Sequence, residues 1–138
     1  MTFKRVLMTG AGGNIGCALR QHFASEYELL RLGDIREQSV AGPDEEVVTL
    51  DVRDSGSVEA AMAGIDCVVH LAGVPGQASW RDILAVNVDG TFNVFEAARR
   101  QGVRRVVYLG GLVPGDRPPS PHLASRLAAE ELLLDAAP

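Results

Sequence analysis

The sequence predicts an α/β fold: one domain over residues 1–138, with a doubly wound parallel sheet of about five strands ordered 3-2-1-4-5. Three observations predict it. Strand and helix patterns alternate along the whole chain, which gives right-handed crossovers and a sheet covered on both faces. The apolar run Val6-Leu7-Met8 leads straight into the glycine-rich stretch Thr9-Gly10-Ala11-Gly12-Gly13-Asn14-Ile15-Gly16. An acidic residue, Asp34, follows Gly16 by eighteen positions.

Each element has its own signal. Phe3–Thr9 reads as strand one, and Asn14–Ser25 as an amphipathic helix carrying Ile15, Leu19 and Phe23. Strand two is Glu28–Leu32, ending at Gly33-Asp34; Gln38–Glu45 is a polar loop with Gly42-Pro43. Strand three is Val47–Leu50. Ser55 is placed as the cap of a helix to about Ala63, because a hydroxyl accepts from the first free N–H groups. Asp66–Leu71 is strand four, and Ala72–Ser79 a Gly/Pro loop. Trp80–Arg100 is a long helical region, bent near Asn87–Gly90 and ended by Gly102. Arg105–Leu109 is strand five. Four prolines in Pro114–Pro121 exclude regular structure there, and Leu123–Ala137 is a last helix with Leu123, Leu127 and Leu134 on one face.

Composition narrows the function. The net charge of −5 gives no basic surface for nucleic acid or a membrane. No apolar run approaches the ~20 residues that cross a bilayer, and no signal peptide opens the chain. Cys17 and Cys67 have neither disulfide nor metal spacing. As two buried thiols they suit a reducing, cytoplasmic setting, with no metal site.

The glycine stretch carries the first functional reading. Gly10 allows a tight turn off the strand, Gly13 lets backbone approach a phosphate, and Gly16 lets the helix pack close to the sheet. A helix N-terminus offers free N–H groups and partial positive charge to an anion. With Asp34 where a ribose-binding carboxylate belongs, the pattern points to a dinucleotide. Other polar positions have two readings. Asp51 caps a turn or meets the base; His70 is a packed imidazole or a base; Asn87 is a buried polar group or part of a site. Trp80 is a core or rim anchor or a substrate platform, and the arginines at 99, 100, 104 and 105 form a solvated turn.

Over roughly residues 3–110 these motifs together resemble the extended short-chain dehydrogenases/reductases, the NAD-dependent epimerase/dehydratase group. Thr9–Gly16 is similar to its TGxxGxxG, with Gly12, Asn14 and Ile15 in the turn and helix start. Asp34, followed by Ile35 and Arg36, matches its ribose-binding acid. Asp51-Val52 matches its adenine-contacting pair, and His70-Leu71-Ala72-Gly73 the segment running beside the cofactor. Asn87 matches its helix asparagine. Val68–Gly73, Trp80–Asn87 and Phe95–Val107 most resemble uronate dehydrogenases. The resemblance implies NAD, in preference to NADP because Asp34 repels a 2′-phosphate, and a small sugar-like substrate.

Two departures matter. Extended members carry a Ser or Thr past strand five and then Tyr-x-x-x-Lys. Here Gly110-Gly111 stand in the first place, and Lys4 is the only lysine. The nearest equivalent is His122-Leu123-Ala124-Ser125-Arg126, as in atypical members that bind nucleotide without the standard triad. His122 as acid/base, Arg126 on the substrate oxygen and Asn87 ordering the site form the candidate catalytic set; alternatively His122 only caps or flanks the last helix. Family members also continue into a substrate lobe, missing here, so strand five is expected to be an open edge covered by a second copy or a second polypeptide. Two functions follow: a sugar-acting oxidoreductase or epimerase with a nonstandard site, or an inactive nucleotide-binding or sensor module.

Overall fold

The structure, a computed structural model, describes residues 2–39, 41–111, 115 and 118–136. Five parallel strands form one sheet in the order β3-β2-β1-β4-β5, as the sequence predicts. In chain order the elements are β1 (Arg5–Thr9), α1 (Asn14–Phe23), β2 (Leu29–Asp34), β3 (Glu45–Thr49), α2 (Ser55–Met62) and β4 (Cys67–His70). They continue with α3 (Trp80–Ile83), a π-helical turn (Leu84–Asp89), α4 (Gly90–Arg100), β5 (Arg105–Tyr108) and α5 (Pro121–Ala136).

β1 is central because Val6–Thr9 are all buried and paired on both sides, Val6 with Leu30 of β2 and Cys67 of β4. Alternation along the strand then builds two cores. Leu7 and Val68 face Val58 and Met62 of α2 and Val94 and Ala97 of α4; Val6, Met8, Leu32 and Val69 face Leu19 and Phe23 of α1. The strand exits are stitched sideways: Ala11 N–H donates to Gly33 O at 3.1 Å, Leu50 N–H to Asp34 O at 3.0 Å, and Leu71 N–H to Thr9 O at 3.1 Å. Four exits are thus held level at the carboxyl edge, where open α/β sheets bind ligands.

Several sequence expectations are corrected. Asp54, not Ser55, caps α2, its carboxylate accepting from Gly56 N–H at 3.0 Å. Cys17 is exposed, because α1 turns it away from the sheet. The last helix starts at Pro121, two residues before Leu123. Ser120 Oγ accepts from Leu123 N–H at 3.3 Å as its cap, and proline suits the first helical position, whose N–H has no partner to lose. Leu134 is 76% exposed and does not share the packed face. Of the proline-rich stretch, positions 114, 116 and 117 lie outside the described residues, as does the end of the last helix at 137. The bend near Asn87 is the π-helical turn itself.

β5 is an edge strand and Val107 on it is 50% exposed. Among the described residues no helix is long and apolar enough to cross a membrane.

Candidate dinucleotide site

The glycine turn is tight and specific. Gly10 has φ +68°, and a Cβ there would stand 2.6 Å from Ala72 N and 2.7 Å from Ala72 Cα. Gly13 N–H donates back to Gly10 O at 3.0 Å and opens α1 without any side-chain cap, leaving the helix's first amides open. A Cβ on Gly16 would stand 2.5 Å from Ala11 O. The closeness it permits is therefore to the turn's own carbonyls rather than to the sheet.

Asp34 at the exit of β2 is 5% exposed yet reaches the site. Its Oδ2 accepts from Gly12 N–H at 2.9 Å, and its Oδ1 from Arg36 N–H at 2.8 Å and Arg36 Nε at 3.3 Å. Asp51 at the exit of β3 is held the same way: Arg53 N–H donates to Oδ1 at 3.0 Å, and the guanidinium grips both oxygens, at 2.9 and 2.7 Å. That hydrogen bonding holds the Asp51 carboxyl below the usual carboxylate range. Asp51 accordingly makes a turn and also lines the cavity. Asp51-Val52-Arg53 repeats Asp34-Ile35-Arg36, a signal that would have found Arg53.

These exits surround a cavity of about 460 Å³. Gly10, Gly13, Asp34, Ile35, Arg36, Asp51, Val52, Leu71, Ala72 and Gly73 line it, as does Arg53, which sequence reasoning missed. Gly12, Asn14, Ile15 and Gly16 do not. Gly12 acts through Asp34, and Asn14, Ile15 and Gly16 form the first turn of α1. Asp82, Val74, Pro75, Ala78 and Val86 complete the wall from the loop after β4 and the helical region after it.

The candidate catalytic residues meet beside this cavity. Asn87 is fully buried; its Oδ1 accepts from Val74 N–H at 2.9 Å, and its Nδ2 donates to Val74 O at 3.2 Å and to Ser125 Oγ at 3.0 Å. His122 Nδ1 lies 2.8 Å from Val74 O, which can only accept, so Nδ1 carries a proton and the neutral ring is the tautomer whose Nε2 is an acceptor. With Ser120 capping α5, His122 turns inward rather than flanking the helix. Arg126, 5% exposed, donates to Ala72 O at 3.3 Å and lies over the Tyr108 ring at 5.4 Å. Among the described residues, its Nη1 and the Tyr108 hydroxyl are buried without hydrogen-bond partners. At the exit of β5, Gly111 N–H donates to Glu130 Oε1 at 3.0 Å, and a Cβ on Gly110 would collide with that same oxygen. A serine at 110 would require the Glu130 carboxylate to swing aside.

Three other expectations resolve. His70 is a packed imidazole, fully buried, and burial, aided by the charge of Arg126, lowers its pKa to about 3. Trp80 is exposed at the start of α3 and is neither core nor cavity wall. Arg99 and Arg100 pair with Glu96 on the solvated face of α4.

The NAD-dependent epimerase/dehydratase family model matches residues 6–137. The chain belongs to this family. It is 41% identical over 107 residues to a uronate dehydrogenase of Pseudomonas putida, which covers 77% of the chain and 40% of that relative. It is 36% identical over 143 residues to an NAD-dependent glucose-6-phosphate dehydrogenase of Haloferax volcanii, covering 92% of the chain and 54% of the relative. Among solved structures, a mutant uronate dehydrogenase from Agrobacterium tumefaciens complexed with NAD superposes with a TM-score of 0.84 at 36% identity. The match covers 95% of this chain and 55% of that one. The chain thus spans about half or less of the relatives it matches, and its fold is the Rossmann-type sheet of these dehydrogenases.

Proposed function

We propose that this chain is the NAD-binding part of a sugar-acting oxidoreductase, with the dinucleotide in the 460 Å³ cavity. The observation that carries the reading is Asp34, a buried carboxylate fixed by Gly12 N–H at the lip of an uncapped helix N-terminus. The residues fit the group. The amides around Gly13, Asn14 and Ile15 would hold a pyrophosphate, Asp34 the ribose hydroxyls, and Asp51 and Val52 the adenine, with Leu71–Gly73 alongside. NAD, when bound, supplies the hydride acceptor.

The chain's own residues supply the rest. Oxidising a sugar hydroxyl requires a base for its proton, and His122 Nε2 is unprotonated in the tautomer that Val74 O imposes. Arg126 offers a fixed positive charge to the substrate oxygen but no proton at neutral pH. Asn87 ties the loop at Val74 to α5. Similarity to the uronate dehydrogenases makes a uronate the first substrate class to try.

The chain lacks the tyrosine, lysine and hydroxyl of its family, so turnover is expected to fall ~10²–10⁴-fold below what such acid–base help gives. That same lack favours the second reading, a nucleotide-binding module without chemistry. NADH production from glucuronate and galacturonate, by wild type, His122→Ala and Arg126→Ala, separates them. We expect slow turnover that falls further in both variants. Robust wild-type turnover contradicts the expected weakness; turnover unchanged in His122→Ala removes that residue from the chemistry. The exposed edge of β5 is expected to be covered by a second copy in solution. Light scattering at high micromolar concentration should show a dimer, and a well-behaved monomer would refute this.

A further inference from the structure

The fully buried side chains of Thr9, His70 and Thr91, together with the backbone carbonyl of Asn87, form a chain of hydrogen bonds whose direction can be read from one end. Thr91 Oγ1 donates to Asn87 O at 2.8 Å. Having spent its proton, that hydroxyl can only accept from His70 Nε2, 3.0 Å away, so Nε2 carries hydrogen. His70 Nδ1 is then an acceptor and takes the proton of Thr9 Oγ1 at 2.6 Å. Thr9 Oγ1 in turn accepts from Ala72 N–H at 3.2 Å. Every hydrogen has one place: Ala72 N–H to Thr9, Thr9 to His70, His70 to Thr91, Thr91 to the carbonyl of Asn87.

The two ends of this relay do different work. Ala72 lies against Gly10 and lines the cavity. Asn87 sits in the π-helical turn, where Gly90 N–H reaches back to Ala85 O, and its side chain holds Val74 and Ser125. Inserted π turns commonly re-aim a functional side chain, and this one needs its carbonyls satisfied.

We infer that His70 is a positioning residue: as the Nε2–H tautomer it ties the β4 exit that walls the cavity to the π-helical turn that aims Asn87, so the two move as one body. The inference rests on the reading of Asn87 and the cavity given above. Protonating Nδ1 would set two donors, the ring and Thr9, against each other, and the Thr9 hydroxyl hydrogen would have to turn away from the ring. Burial and the Arg126 cation from α5 oppose a second proton, and the other groups that face the ring, Thr9 from β1, Thr91 from α4 and the Tyr108 ring stacked at 5.7 Å from β5, carry no charge to offset them. Hydrogen bonds aligned in one direction also polarise each other.

The imidazole nitrogens of ¹⁵N-labelled protein report this directly. We expect the pattern of a neutral Nε2–H ring for His70, unchanged from pH 8 to pH 5. An Nδ1–H tautomer, or a ring titrating in that interval, overturns the inference. Thr91→Val removes the acceptor of Nε2–H and the donor to Asn87 O, and should shift the Asn87 side-chain amide and the Val74 backbone amide. It should also weaken NAD binding by about tenfold, the scale of one buried donor left unpaired. Thr91→Ser, which keeps the hydroxyl, should restore both. A Thr91→Val protein whose Asn87 and Val74 amides do not move refutes the coupling. If wild type fails to bind NAD, the functional reading falls, while the tautomer and the two amides still test the relay.

Discussion

Gly10→Ala is expected to abolish dinucleotide binding and to cost about 3 kcal/mol of stability, more than any other single methyl group added at a positive-φ glycine of this chain. The left-handed conformation alone costs roughly 1–2 kcal/mol for a residue with a Cβ. The remainder comes from collision: the new carbon would stand 2.6 Å from Ala72 N and 2.9 Å from Leu71 C, which are backbone atoms. They cannot yield cheaply, since Leu71 N–H is bonded to Thr9 O at 3.1 Å and Ala72 N–H to Thr9 Oγ1 at 3.2 Å. Gly102 supplies the control. Its φ is +70°, but no atom of the described residues lies within 4 Å of its Cβ position. Gly102→Ala should therefore lose only the conformational part. Equal losses for the two substitutions in urea unfolding would mean that the contact with Ala72 carries no weight.

Asp34→Ala should weaken NAD binding by one to two orders of magnitude and bring NADP level with it. The carboxylate accepts from ribose hydroxyls and repels a 2′-phosphate, a difference on the order of 1–3 kcal/mol. Its removal also frees Arg36, whose exposed guanidinium pairs only with Asp34 among the described residues and lies near Gly13. A freed arginine beside the site suits a phosphate. Asp34→Asn keeps an acceptor for Gly12 N–H without the charge, so it separates the turn's geometry from electrostatic selection. Calorimetric titration with both nucleotides measures the gap. A gap unchanged in Asp34→Ala would place selection elsewhere.

Much of this was legible because the signals are local. A strand, a glycine turn and a helix within Arg5–Phe23 fix the crossover, and Asp34 and Asp51 stand at the exits of the next two strands. The sheet order follows from that and holds. What the sequence hid depends on contacts across the chain. Neither neighbour of Gly10 in sequence announces that Ala72 will press on it. The inward turn of His122 needs Ser120 as the cap and, as a partner, Val74 O, which lies 48 positions before His122 in sequence. Cys17 looked apolar by its helix, yet only the side of α1 that meets the sheet is covered. His70 at a strand end reads as a packed imidazole or a base; its burial decides for the first, and the hydroxyls that orient it come from β1 and α4.

The central claim is that these residues hold NAD at the carboxyl edge of the sheet. Adding NAD to ¹⁵N-labelled protein and following the backbone amides tests it most directly. We predict saturable shifts at Gly12, Gly13, Ile35, Val52, Ala72 and Gly73, with little movement at Phe23, Tyr27 or Gly42 beside a smaller hollow at the C-terminal end of α1. Shifts confined to that smaller hollow, or none at millimolar NAD, would contradict the account.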